Sequence, residues 1–420
     1  MATITRLPCE IIAGIFRKLD NIQSLLPSIL TCRHFYLSYK ESPSLALDIL
    51  HHQIGPALLP YSIAVLEASC MARTRSSIQQ LLDTLHNEPA VLTRRLHDIH
   101  LSGLIEMGGT HDLVKNFADA FASDAWSLVL SHSLVQGQGQ SDGLVLSPTE
   151  EFRFYRAFYR VELFLRLFRD DSIQVSSIFE DEQVDMFLSR HPPWVNEQLG
   201  CVHDYIEKRF SQASRDVLAH DIEFGELSID YITNGPENPW KQRWISQGFG
   251  FIHKLEQATS YDEQQILLSS TSVSGQVELH EALTKSCESD DGNYEILENY
   301  SQEEIKALEP RQDNEDEDDG PFIAWKPNHD HLPREAWVLM TDNAVLRRCA
   351  YVLWDAARIR RYNMLQIFDK LSQRPFASES EFNAEAFEAM FRSFAQRSKI
   401  WQKGGRGYWN GSEDDSDRSQ

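Results

Sequence analysis

Apolar residues return every three or four positions along most of the chain, and strict alternation of apolar with polar residues is scarce. That period belongs to amphipathic helices, not strands, so the pattern predicts a mainly α protein. The first stretch carries Ile11, Ile12, Ile15, Phe16 and Leu19 on one broad stripe, then Leu25, Leu26, Ile29 and Leu30, then Phe35, Tyr36 and Tyr39. Three short helices are expected there. Pro8 stands where the first would begin, since a first turn makes no use of the missing N–H. Glu10 falls in that turn, facing the positive end of the helix dipole. Asp20-Asn21 breaks the stripe and can cap the second helix, and Ser42-Pro43 closes the unit. Pro27 interrupts the second helix, where an interior proline costs about 3 kcal/mol or bends the chain.

Further helices are expected at about 75–86, 90–107 and 111–135. Ser147-Pro148-Thr149-Glu150 opens the strongest one, which runs to about Phe168 and is apolar around most of its circumference, so it requires burial on several sides. Arg153, Arg156 and Arg160 share one narrow face of it. Such a face suits an acidic or phosphorylated peptide, or carboxylates of the same chain, the stronger reading in so acidic a sequence. Two or three helices are expected at 184–232 around Trp194, Tyr205, Phe210 and Leu218, a short one at 276–286, and others at about 342–362 and 381–400. Trp240, Trp244, Phe249 and Phe251 form an aromatic cluster of the core type.

Charge changes the picture in one place. The 420 residues carry a net charge of −23, and residues 286–320 alone hold 14 Asp/Glu against Lys306 and Arg311. The run Asp313-Asn314-Glu315-Asp316-Glu317-Asp318-Asp319 repels itself and is expected to be disordered. The expected organisation is therefore a helical module at 1–48, an irregular helical body at 49–285, a disordered acidic linker at 286–320, a C-terminal helical part at 321–402 packing on the body, and a flexible tail at 403–420. An excess of acid argues against general nucleic-acid binding, which needs clustered Lys and Arg. The six cysteines are scattered, which fits a reducing compartment. No apolar run reaches 18 residues, and Met1 to Arg6 has no secretory character. Cytosol or nucleus, with no membrane partner, is the expectation.

The opening segment has a specific order: Leu7-Pro8-Cys9-Glu10-Ile11-Ile12, Ile15-Phe16, Leu19-Asp20, Leu25-Leu26, then Cys32-Arg33-His34-Phe35. It resembles an F-box, the helical module that joins a protein to an SCF-type (Skp–cullin–F-box) ubiquitin ligase. The resemblance covers about residues 5–45; Phe35 stands where the family usually has tryptophan, and Thr31 where it usually has an aliphatic residue. It implies a three-helix F-box-like module that docks on a Skp-type adaptor, and through it a cullin. Leu7, Pro8, Glu10, Ile11, Ile15, Leu19, Leu25, Leu26, Cys32 and Phe35 would be the adaptor-facing or module-core positions. A module of this size is too small to be very stable alone and would complete its core on a partner. The rest of the chain would hold an unknown protein target. The run from Leu346 to Arg358 resembles, more loosely, a C-terminal segment of fungal F-box proteins. Two alternatives stay open: an F-box scaffold working without cullin, and a helical interaction protein whose first 45 residues are plain core.

Candidate chemistry is sparse. Gly139-Gln140-Ser141-Asp142-Gly143 has the spacing of a nucleophile elbow but lies in Gly/Gln low complexity, without the strand that motif needs. His97 with His100, His329 with His331, and Cys201 with His203 are close pairs, none within a four-ligand zinc pattern. No fixed-period repeat is present. A non-enzymatic protein with no cofactor and no metal is expected, though a pocket among the aromatic residues at 240–251 would be the place for an unrecognised activity.

Overall fold

The computed structural model describes residues 4, 7–132, 143–169, 186–218, 239–270, 279, 282–283, 316–328, 344–372, 392, 395–396, 398–400 and 402–404. All regular structure among them is helical, so the protein is of the mainly α class. By contacts the chain divides into two compact units: Met1–Ala120 with Leu146–Leu167 and Asn314–Asp316, and Phe121–Val145 with Phe168–Asp313 and Glu317–Gln420.

The first unit opens with α1 (Cys9–Phe16), a 3-10 turn (Ile22–Ser24), α2 (Leu25–Leu30) and α3 (Arg33–Lys40). Pro8 is the N-cap of α1, and its carbonyl accepts from the Ile11 and Ile12 amides. Asn21 caps the 3-10 turn, its Oδ1 accepting from Ser24 N at 3.0 Å. Pro27 does not interrupt a helix. Because α2 starts at Leu25, the proline falls in its first turn, where an N–H has no intrahelical partner.

Helices α1 and α2 both pack on α3, and Phe16 meets Phe35 edge to face at 5.3 Å. The His34 ring lies 2.8 Å from the Leu7 carbonyl and ties the chain entry to α3. These helices continue into α4 (Leu45–Ile54), α5 (Leu59–Cys70), α6 (Arg75–Asn87) and α7 (Pro89–Arg95), all in the same unit.

Helix α8 (Leu101–His132) is one long helix where two were expected. It begins after a 3-10 turn at Leu96–Asp98, so the break falls earlier than the pattern suggested. Gly108 on α8 is a site of close approach: a Cβ there would collide with Ile22 and Gln53. Gln53 gathers this corner, accepting from Ile22 N at 3.1 Å and donating to Gly108 O and Asp112 Oδ1.

Helix α9 (Pro148–Phe168) starts as its sequence predicts. Ser147 Oγ accepts from Glu150 N at 3.1 Å, and Glu150 Oε2 accepts from Ser147 N at 3.0 Å, a reciprocal cap with proline at the first position. Arg153, Arg156 and Arg160 are all buried. Arg153 grips Asp316 with two nitrogens, Nη2 to Oδ1 at 2.7 Å, so its partner is a carboxylate of the acidic run.

The second unit is built around α10 (Pro193–Leu218), against which α11 (Pro239–Ile245), α12 (Phe249–Gln257), α13 (Tyr261–Ser270), α14 (Gly320–Trp325) and α15 (Ala344–Arg348) all pack. Helices α16 (Ala356–Arg361) and α17 (Met364–Ser372) follow. The helix expected at 342–362 is in fact two short ones, α15 and α16, separated by a turn in which Ala350 has φ 52°. The interruption is held by tertiary bonds: Trp354 Nε1 donates to Cys349 O at 2.8 Å, and Asp318 Oδ1 accepts from Ala356 N at 2.9 Å. Residues 316–320, the end of the run expected to be disordered, are therefore bonded at Asp316 and Asp318 and pass into α14. The remainder of the acidic linker, the Gly/Gln loop at 133–142, most of the expected helix at 381–400 and the tail from 405 lie outside the described residues.

Candidate functional site

The three N-terminal helices have two faces of opposite character. Ile12, Ala13, Phe16, Ile22, Leu25 and Ile29 are buried, Ile12 to 1 % exposure. Ile11, its neighbour, is 52 % exposed, Ile15 follows one turn later, and Leu30 is 71 % exposed. Of the ten large apolar side chains exposed among the described residues, seven lie between Ile4 and Leu37. Scattered exposed apolar residues are ordinary, but here they are concentrated on one small element.

Helical spacing explains the division. Ile11 and Ile15, four apart, share one side of α1, and Leu26 and Leu30 share one side of α2. Ile12 and Phe16, and Leu25 and Ile29, take the other sides. The apolar stripe on each helix is wider than its own unit covers.

Of the ten positions singled out in the sequence, Pro8, Glu10, Ile11, Ile15 and Leu26 are exposed. Leu7, Leu19, Cys32 and Phe35 are half-buried, with Phe35 serving the contact to Phe16. Leu25 is fully buried and is module core, because its side of α2 faces inward. Three further residues are exposed: Leu30 and Tyr36, which the sequence places in the apolar sets of their helices without a docking role, and Leu37, which it does not single out. The i to i+4 relation of Leu30 to Leu26 was the signal that could have placed it outside.

The second unit holds a different cluster. Arg347 Nε and Nη2 reach the Glu197 carboxylate at 2.9 and 3.1 Å, and both side chains are buried. Arg347 Nη1 lies 3.5 Å from Asp204 Oδ1, and Lys241 pairs with Glu207 Oε1. Gly200 makes room: a Cβ there would stand 2.8 Å from the Arg347 guanidinium carbon. His203, Asp204 and Glu207 are the one set of metal-type ligands within mutual reach among the described residues. Both carboxylates already face cations of the chain, so the set is an ion-pair network.

The buried thiols offer no nucleophile. Burial pushes the Cys201 thiol well above its ordinary value and that of Cys349 up to about 12, so neither is a thiolate at neutral pH. Of the aromatic residues at 240–251, Trp244 and Phe249 are core: Trp244 stacks on Phe210 and donates to Leu268 O at 3.1 Å, and Phe249 is buried. A groove open to solvent lies on the second unit, lined by Asp124, Ser127, Ser131, Tyr205, Lys208 and Arg348, of mixed charge. No described helix is long and apolar enough to cross a membrane. Comparison with protein-family models, curated proteins and solved structures gave no match.

Proposed function

We propose that this protein is a non-enzymatic recognition subunit of an SCF-type ubiquitin ligase. Its first three helices would dock on a Skp-type adaptor, and through it on a cullin, while the helical body holds a protein target. The observation that carries the reading is the separation of faces in residues 9–40: an inner set seals against its own unit, and Ile11, Ile15, Leu26 and Leu30 remain in water. The ordered Leu-Pro-x-Glu, Ile-Phe, Leu-Leu and Cys-Arg-x-Phe residues provide the family resemblance, and the face gives them something to bind with. The protein would contribute proximity and orientation, raising the effective concentration of target near the transferring subunits without bond chemistry of its own.

The test is affinity for a purified Skp-type adaptor, measured for the whole chain and for Ile11→Ser with Leu30→Ser. Both sites are exposed, so the fold survives the change. Loss of binding in the double variant is expected. No binding by the unchanged chain, or binding that ignores the two substitutions, overturns the proposal. Adaptor captured from cells without cullin would favour the scaffold alternative.

A further inference from the structure

Helix α3 turns to water a face that is both apolar and cationic. Arg33, Tyr36, Leu37 and Lys40 stand at the spacing of a single helix side, and all four are exposed. The opposite side does the packing: Phe35 meets Phe16, and Ser38 is buried. Tyr36 and Leu37 form the apolar centre, and a cation stands at each end. Arg33 and Lys40 lie about 10 Å apart along the axis, at about 1.5 Å of rise per residue.

The chain carries a net charge of −23, so carboxylates are plentiful. Other arginines of this unit find them: Arg17 reaches Asp48 at 2.9 Å, and Arg95 reaches Glu67 at 2.7 Å. Among the described residues the side chains of Arg33 and Lys40 have no ion pair and no hydrogen bond. Glu41 follows at the C-cap of α3 and does not pair with Lys40. A lone solvated lysine is ordinary. Two cations bracketing exposed Tyr36 and Leu37 make a different surface, one that suits a protein presenting apolar side chains between carboxylates. An anionic membrane fits less well. One eight-residue helix offers two apolar side chains for insertion, and the charge of the whole chain opposes a negative surface.

We propose that α3 is the charge-reading part of the docking surface. Arg33 and Lys40 select a partner whose contact surface carries carboxylates about 10 Å apart, on either side of an apolar patch. This rests on the function proposed above, in which that partner is the Skp-type adaptor, and adds the property of the adaptor that is recognised. The apolar residues of α1 and α2 supply contact area. The two cations speed encounter with an acidic surface and disfavour basic ones. Exposed charges of this kind act mainly on association, and salt screens them.

The experiment measures association and dissociation rates of the full chain with a purified Skp-type adaptor at about 50 mM and about 500 mM NaCl. The samples are the parent, Arg33→Gln with Lys40→Gln, and Ile11→Ser with Leu30→Ser. Both charged sites are exposed, so melting temperatures are expected to match the parent. The charge variant is expected to bind about tenfold more weakly at the lower salt, chiefly through slower association, and to approach the parent at the higher salt. Arg33→Lys with Lys40→Arg keeps both charges and is expected to bind as the parent does. Binding that ignores the loss of charge, or a loss equal at both salts, overturns this proposal. If Ile11→Ser with Leu30→Ser still abolishes binding, the docking function stands without it. No binding by the parent at either salt overturns both. Self-association of the parent, or its sedimentation with phosphatidylserine vesicles, that the charge variant abolishes would assign the face to a second copy or to a membrane and overturns the proposal as well.

Discussion

The N-terminal helices and helix α10 break the usual partition of residues in opposite directions. The first set leaves Ile11, Ile15 and Leu30 in water. The second takes Arg347, Glu197 and His203 out of it. Both cost free energy when incomplete, and the difference lies in where completion comes from. The charges around α10 find counter-charges within their own unit, from α11 and α15. The apolar ridges of α1 and α2 are left exposed, and in the function proposed above a bound adaptor would cover them. The proposed docking reading rests on the exposed apolar residues, whereas the buried charges here belong to internal architecture.

The contrast breaks most visibly at Arg347. Arg347→Met takes the guanidinium from the buried Glu197 carboxylate and is expected to destabilise the protein by about 3–5 kcal/mol in urea unfolding. Glu197→Leu added to it should recover much of that loss, since an apolar pair of similar volume carries no desolvation cost. A mild effect from the single change would mean that water reaches the site.

On the N-terminal side the sharpest comparison is between adjacent residues. Ile12→Ala is expected to cost about 2–5 kcal/mol, as a core truncation does. Ile11→Ala should stay within about 0.5 kcal/mol, as at an open surface. Equal costs in equilibrium unfolding would show that Ile11 is covered by the protein's own body and would favour plain core over a docking face.

A buried histidine gives a further test. His111 in the first unit is buried, with Nδ1 3.0 Å from the Tyr159 hydroxyl, and burial with the nearby Lys115 lowers its value to about 4. A group depressed on folding binds fewer protons folded than unfolded, so stability falls as pH drops from about 6.5 towards 4, by on the order of 3 kcal/mol over the whole interval. Urea midpoints at pH values across that interval, for the parent and His111→Gln, would measure it.

A smaller effect is expected at Gly200. Its Cβ would press on Arg347, so Gly200→Ala should cost about 1–3 kcal/mol, as overpacking does. The loss should shrink in the Arg347→Met background, where the guanidinium is absent, and a double-mutant cycle measures that coupling.

Local signals were legible where they are self-contained. The start of α9 was readable from Ser147-Pro148-Thr149-Glu150 because a capping box closes within four residues. The three N-terminal helices were readable from apolar spacing, and Asn21 from its capping chemistry. Pro27 looked like a fault only because the start of α2 was set too early. The division of α15 from α16 was not legible, since it depends on Asp318 and Trp354, and residue 318 is remote in sequence from the amide it caps.

The sequence by itself determined the mainly α class, the opening three-helix unit and its family resemblance, because periodicity, caps and motif order are local properties. Only the tertiary structure decided which apolar residues stay in water, that Leu25 turns inward while Leu26 does not, and that Arg153 and Arg347 face carboxylates of their own units. A helix stripe says that a residue is apolar and on which side it lies. Whether that side is covered depends on what the rest of the chain brings against it.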